Sequence, residues 1–119
     1  MFGQDDYLMR MIENMARALG QLVFHKPVEN VQLFDRHGNV TQEGLQLQRL
    51  KDMVACGQIN EAENLLFSWL DESRDVALLP VAIEFYRTLA GMNEAELAVC
   101  DYTKEEIAEG LQAVQGMFG

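Results

Sequence analysis

The chain predicts an all-α fold of antiparallel helical hairpins, tetratricopeptide-like, and three observations carry that expectation. Gly57 stands three residues before Asn60, and Gly91 two before Asn93, each Asn opening an Asn-x-x-Glu helix start. A helix-stopping glycine just ahead of a helix-starting asparagine is the pattern of two helices joined by a tight turn. The string Asn-Glu-Ala-Glu recurs at 60 and 93, a spacing of 33 residues, close to the period of tetratricopeptide hairpins. Thr103-Lys-Glu-Glu106 supplies a further helix start as a capping box.

At 119 residues the chain reads as a single domain able to bury a real core without staples. The first helix is expected to start after Asp5 or Asp6 and to stop before Pro27, giving an N-terminal helix over 1–26. Leu8, Ile12, Met15, Leu19 and Leu22 alternate spacings of four and three, a heptad seam that must be covered by something. From 28 to 41 the helical period disappears. Apolar and β-branched residues there flank Asp35-Arg36-His37-Gly38-Asn39, the composition of a short hairpin or an ordered loop. A calcium loop does not fit, because Leu33 and Gly44 would fall where carboxylate ligands are required.

The helical-hairpin core is expected over 42–119. A helix over about Gln42–Cys56 turns inward Leu47, Leu50, Met53 and Val54, and Gly57 takes the left-handed stop. The next should be capped by Asn60, with Glu63 reaching back, and its wide arc of Ala62, Leu65, Leu66, Phe67, Trp69 and Leu70 marks it as the most buried. Pro80 fits only the first turn of a helix over about Leu79–Ala90. A short helix from Asn93 and a last one from Thr103 complete the set, Met92 with Leu97 and Tyr102 with Ile107 forming hydrophobic staples.

Charge narrows the function classes. The chain carries 19 Asp/Glu against nine Lys/Arg, a net charge of −10. Residues 1–50 are nearly balanced, with five basic and six acidic side chains, whereas 51–119 hold four against thirteen. Nucleic acid and anionic membranes are therefore disfavoured as partners, and a basic protein or peptide is favoured. An acidic amino terminus, no apolar run of membrane-spanning length and two widely spaced cysteines, Cys56 and Cys100, read as a cytoplasmic protein with free, mostly buried thiols.

No catalytic motif emerges. The clusters Glu61/Glu63, Glu94/Glu96 and Glu105/Glu106/Glu109 fall in the early turns of expected helices, where the dipole favours negative charge. His25 and His37 lie outside any ligand spacing, so neither a cofactor nor a metal is expected. Of seven methionines, Met1, Met9, Met11 and Met15 gather near the first helix, and Met9, off the seam, is a candidate contact for a partner or for a second copy in a homodimer. Trp69, Tyr86 and Tyr102 are the candidates for lining an interhelical pocket.

The chain resembles a family of small bacterial proteins of unknown function with tetratricopeptide-like helices. The resemblance runs over nearly all of it: Asp-Asp-Tyr-Leu-Met-Arg-Met-Ile at 5–12, Ile-Asn-Glu-Ala-Glu-Asn-Leu-Leu-Phe at 59–67, Phe85-Tyr86 with Leu89, and Thr103, Glu105-Glu106-Ile107 and Gly110-Leu111. It implies a fold and no reaction. Gly57, Ile59, Ala62 and Leu66 also match the second part of the tetratricopeptide pattern, but Leu50 stands where a glycine is usual. The function expected is a non-catalytic interaction or adaptor module; the alternative is a small-ligand or metal binding protein, or an enzyme, built around an interhelical pocket.

Overall fold

The computed structural model describes residues 4–119, with side chains from Tyr7 onward, so Met1 and the side chains of Asp5 and Asp6 lie outside the described residues. Among the described residues six helices follow in order: α1 Gln4–Phe24, α2 Gln42–Ala55, α3 Ile59–Ser73, α4 Leu78–Ala90, α5 Glu94–Val99 and α6 Lys104–Phe118. The all-α expectation holds.

Helix α4 is the axis of the packing. It lies against α1, α2 and α6, while α2 pairs with α3 and α1 also reaches α6. Nine of its thirteen residues are buried, among them Leu79, Val81, Ala82, Phe85, Tyr86 and Leu89. This corrects the expectation that α3 is the most buried helix. The width of an apolar arc says how much surface a helix offers, whereas position decides how many sides are covered, and α3 packs chiefly on α2.

The seam of α1 is covered within the chain, by α4 and α6. Leu8, Ile12, Met15 and Leu19 are buried, but Leu22 is 60 % exposed. A straight helix drifts by about 20° per heptad against a strict 3.5 repeat, so the inward face moves on to Ala16 and Val23. Arg87 on α4 clasps Glu13 of α1 through two hydrogen bonds of 3.0 and 3.2 Å. Being partly exposed, this pair fixes orientation more than it adds stability.

The turn between α2 and α3 obeys the glycine. Gly57 has φ +81°, its N–H donates to Val54 O and the Gln58 N–H to Met53 O, the two bonds of a Schellman stop. The asparagine does not behave as expected. α3 begins at Ile59 behind Gln58 with no side-chain cap, and the Asn60 amide instead donates to Asp101 O at 3.0 Å. The same four residues at 93 do form a capping box, Asn93 accepting from Glu96 N–H and Glu96 reaching back. What separates the two copies is Ile59, wholly buried, which pulls the first helical turn one residue ahead of Asn60. Thr103 and Glu106 complete the reciprocal box at the start of α6. Thr103→Ala should therefore cost about 0.5–2 kcal/mol, read as a lower urea midpoint at unchanged slope. Asn60→Ala, by contrast, removes a tie to the α5–α6 turn and no cap.

The insertion around 28–41 is held by its own turn chemistry. Asp35 Oδ1 accepts from the His37 and Asn39 N–H groups, Gly38 takes φ +82°, and a single antiparallel bridge pairs Phe34 with Val40. Thr41 then caps α2, accepting from Gly44 N–H while donating to Gln32 O. Both cysteines are free, but Cys56 is exposed and Cys100 only partly covered, which corrects the expectation of buried thiols. They stand at the C-terminal ends of α2 and α5, where Cys100 still packs against the edge of the core.

Candidate functional site

After Phe24 the chain folds back along α1, with the Lys26 N–H on Gly20 O and the Val28 N–H on Ala16 O. This return lays the segment 26–32 beside the N-terminal ends of α2 and α4. A groove of about 360 Å³ opens between them. Phe24, Pro27, Val31, Ala77 and Pro80 give it apolar walls, and Lys26, Glu29, Asn30, Gln32, Thr41 and Glu43 add polar groups at its margins. Lys26 and Glu29 neutralise one another at 3.3 Å, both well exposed. At the helix ends beside it, Thr41 caps the Gly44 N–H of α2, and the Leu78 and Leu79 N–H groups of α4 donate to Asp75 O and Val76 O. The groove therefore offers apolar surface with mixed, nearly balanced polar edges.

A second constellation sits between α3, α4 and α6. The Tyr86 hydroxyl donates to Glu63 Oε2 at 2.5 Å and the Tyr102 hydroxyl donates to the same oxygen at 2.8 Å. Both tyrosines are essentially without exposure. Burial, reinforced by the Glu63 carboxylate, drives both phenols far above their ordinary range, so they are fixed as neutral donors. Glu63 thereby ties three parts of the fold together, and was read from the sequence as the far half of a helix cap. Outside it runs a groove of about 260 Å³ whose margins include Glu106 and Glu109.

The three aromatic candidates do not share a pocket. Tyr86 belongs to the interior, Tyr102, itself buried, backs a groove lined by Asn60, Asp101 and Thr103, and Trp69 lines a separate small groove with Gln42, Gln46 and Glu72. The expectation of an interhelical pocket built from all three is thus corrected: Tyr86 is surrounded by its α4 packing partners and stacks edge-on against Phe85. Met9 is on the surface of α1, 38 % exposed. Sequence reasoning missed Lys104, buried at 3 %, whose ammonium donates to Ala90 O and Met92 O and so closes the C-terminal end of α4. A lysine directly after a capping threonine reads as solvated, and only the fold brings it over another helix's carbonyls.

Among the described residues no group of three or more His, Cys, Asp or Glu could hold a metal ion. Among the same residues no helix is long and apolar enough to cross a membrane. No curated protein and no solved structure matches the chain. Over residues 1–119 it matches the model of a family of unknown function, DUF6483, and the chain belongs to that family.

Proposed function

We propose that the chain is a non-catalytic protein–protein interaction or adaptor module, with the groove beneath the 26–32 segment as its receptor for an apolar side chain of a protein or peptide partner. The single observation that supports this is the groove itself: apolar walls of ligand-binding size, open to solvent. The two hairpin units, α2–α3 and α4 with α5–α6, suit a tetratricopeptide-like reading in which helical pairs present a concave surface. The strongly acidic 51–119 region favours a basic partner, and it disfavours nucleic acid and anionic membrane. Free thiols suit a reducing compartment, and we place the module in the cytoplasm.

One observation favours the other class, a small-ligand binder or an enzyme: the groove volume falls within the range of about 300–1,000 Å³ in which small molecules are held. Affinity capture from native lysate, with mass spectrometry of wild type, Val31→Glu and Met9→Glu, separates the readings. A stoichiometric protein partner that Val31→Glu loses and Met9→Glu retains is the expected result. Partner capture indifferent to Val31→Glu would sink the groove, and a small molecule retained in native mass spectrometry would favour the alternative.

A further inference from the structure

We propose that the notch lined by Trp69, next to the groove, is the receptor for an arginine side chain of the partner, which presents that arginine beside its apolar anchor. The inference rests on the interaction-module reading and deepens it by naming the partner's chemistry. The notch, of about 210 Å³, lies between the start of α2, the end of α3 and the start of α4. Glu43 and Ala77 line the notch and the groove alike, so the two form one continuous depression. The notch falls below the range of about 300–1,000 Å³ that holds a small molecule, and it suits a single side chain entering from a segment laid across the groove.

Three carboxylates line the notch, those of Glu43, Glu72 and Asp75, and no basic side chain does. Among the described residues none of the three is ion-paired, not even with Arg74, which stands between Glu72 and Asp75 in the chain. Two of them have a local reason to be acidic. Glu43 lies in the first turn of α2, where the helix dipole favours negative charge, and Asp75 Oδ1 accepts the Ala77 N–H at 2.9 Å. Glu72 has no such reason. It stands in the last turn of α3, where the dipole opposes a carboxylate, and that turn holds no basic residue to offset it. A cation seated in the notch removes that conflict.

The wall identifies the cation. Trp69 lines the notch, half-buried and packed against the core, and an indole attracts a cation more strongly than any other aromatic side chain. A planar guanidinium lies along such a ring and still directs its N–H donors sideways to carboxylates, which the compact, strongly hydrated ammonium of lysine does less well. The amides of Gln42 and Gln46, which also line the notch, add acceptors. A bare metal ion does not fit, since among the described residues no group of three or more His, Cys, Asp or Glu could hold one. Charge and indole together select arginine, carried by a segment whose neighbouring apolar residue fills the groove.

Trp69 is the only tryptophan of the chain, so its fluorescence reports on the notch directly. The probe is an octapeptide amide of alternating leucine and arginine, which offers apolar and cationic groups side by side in every register. Its control carries citrulline, uncharged and of the same shape, in place of arginine. The expected result is a saturable change in Trp69 emission with the arginine peptide, and a dissociation constant about tenfold or more higher with the citrulline peptide. Glu43→Gln/Glu72→Gln should weaken the arginine peptide by about tenfold or more, whereas Glu61→Gln/Glu94→Gln, an equal loss of charge at exposed sites elsewhere, should weaken it by less than about threefold. No saturable change, citrulline binding as tight as arginine, or equal effects of the two double variants, the mark of a diffuse acidic surface, overturns the proposal. The citrulline arm alters only the peptide, so it holds whether or not a variant folds. Val31→Gln, which adds no charge, tests the groove by itself. If it alone weakens the peptide, the groove stands and the notch is refuted; if the notch variant alone does so, the notch stands and the groove is refuted.

Discussion

Stability should fall steeply above pH 10, and Tyr86→Phe/Tyr102→Phe should remove most of that fall. Both phenols are buried on Glu63, which raises their proton affinity in the folded chain well above that in the unfolded one. A raised folded pKa leaves the contribution intact below the unfolded value near pH 10. Above it the unfolded chain sheds protons that the folded chain retains, and the balance tilts toward unfolding. Each tyrosine then costs about 1.4 kcal/mol per pH unit, so the pair costs roughly 4 kcal/mol by pH 11.5. That is a large share of the stability expected of a domain of this size. Urea titrations at pH 8, 10 and 11.5 would measure it. A double variant with the same alkaline loss as wild type would show that other groups govern it. At pH 8 the same variant leaves the partly exposed Glu63 to be solvated by water, so its loss there should be much smaller.

How far such features were legible in the sequence depends on whether they are local. The Thr103–Glu106 and Asn93–Glu96 boxes, the Gly57 stop and the Asp35 turn each draw their partners from within five residues, and each was readable. The seam of α1 was legible up to Leu19 and failed at Leu22, because a four-three repeat and a straight helix part company after about three turns. Asn60 and Glu63 failed for another reason. Their side chains meet Asp101, Tyr86 and Tyr102, between 23 and 41 residues away, and no periodicity in the chain records that approach. The groove is hidden in the same way. Phe24, Val31 and Pro80 have no common spacing, and only the return of 26–32 along α1 and the centrality of α4 bring them to one wall. Gly20, which permits that return, reads in the sequence as a weak spot in a helix.

Alanine at Gly20 and at Gly110 should each destabilise by about 1–3 kcal/mol or more, while alanine at Gly116 should stabilise by about 0.5–1 kcal/mol. All three glycines lie inside helices, where alanine is intrinsically favoured, so propensity alone predicts three gains. Surroundings reverse two of them. A Cβ on Gly20 would stand 2.5 Å from Val28 N and 2.7 Å from Pro27 C, and closer still to Lys26 O. These are backbone atoms of the returning segment, unable to yield without breaking the Lys26 and Val28 hydrogen bonds to α1. A Cβ on Gly110 would stand 2.7 Å from Tyr86 Cε1 and closer to Cζ and the hydroxyl, which is anchored on Glu63 inside the packed α4–α6 contact. Gly116 has nothing within 4 Å of the added carbon. Urea midpoints of the three variants decide the matter, and the Gly20 variant carries a second readout. Because Val31 and Pro27 reach the groove through the segment that crosses Gly20, Gly20→Ala should also loosen that wall, seen as faster amide exchange at Val28 and Val31. A Gly20 variant as stable as wild type, with unchanged exchange there, would mean that the chain does not return across α1 in this way.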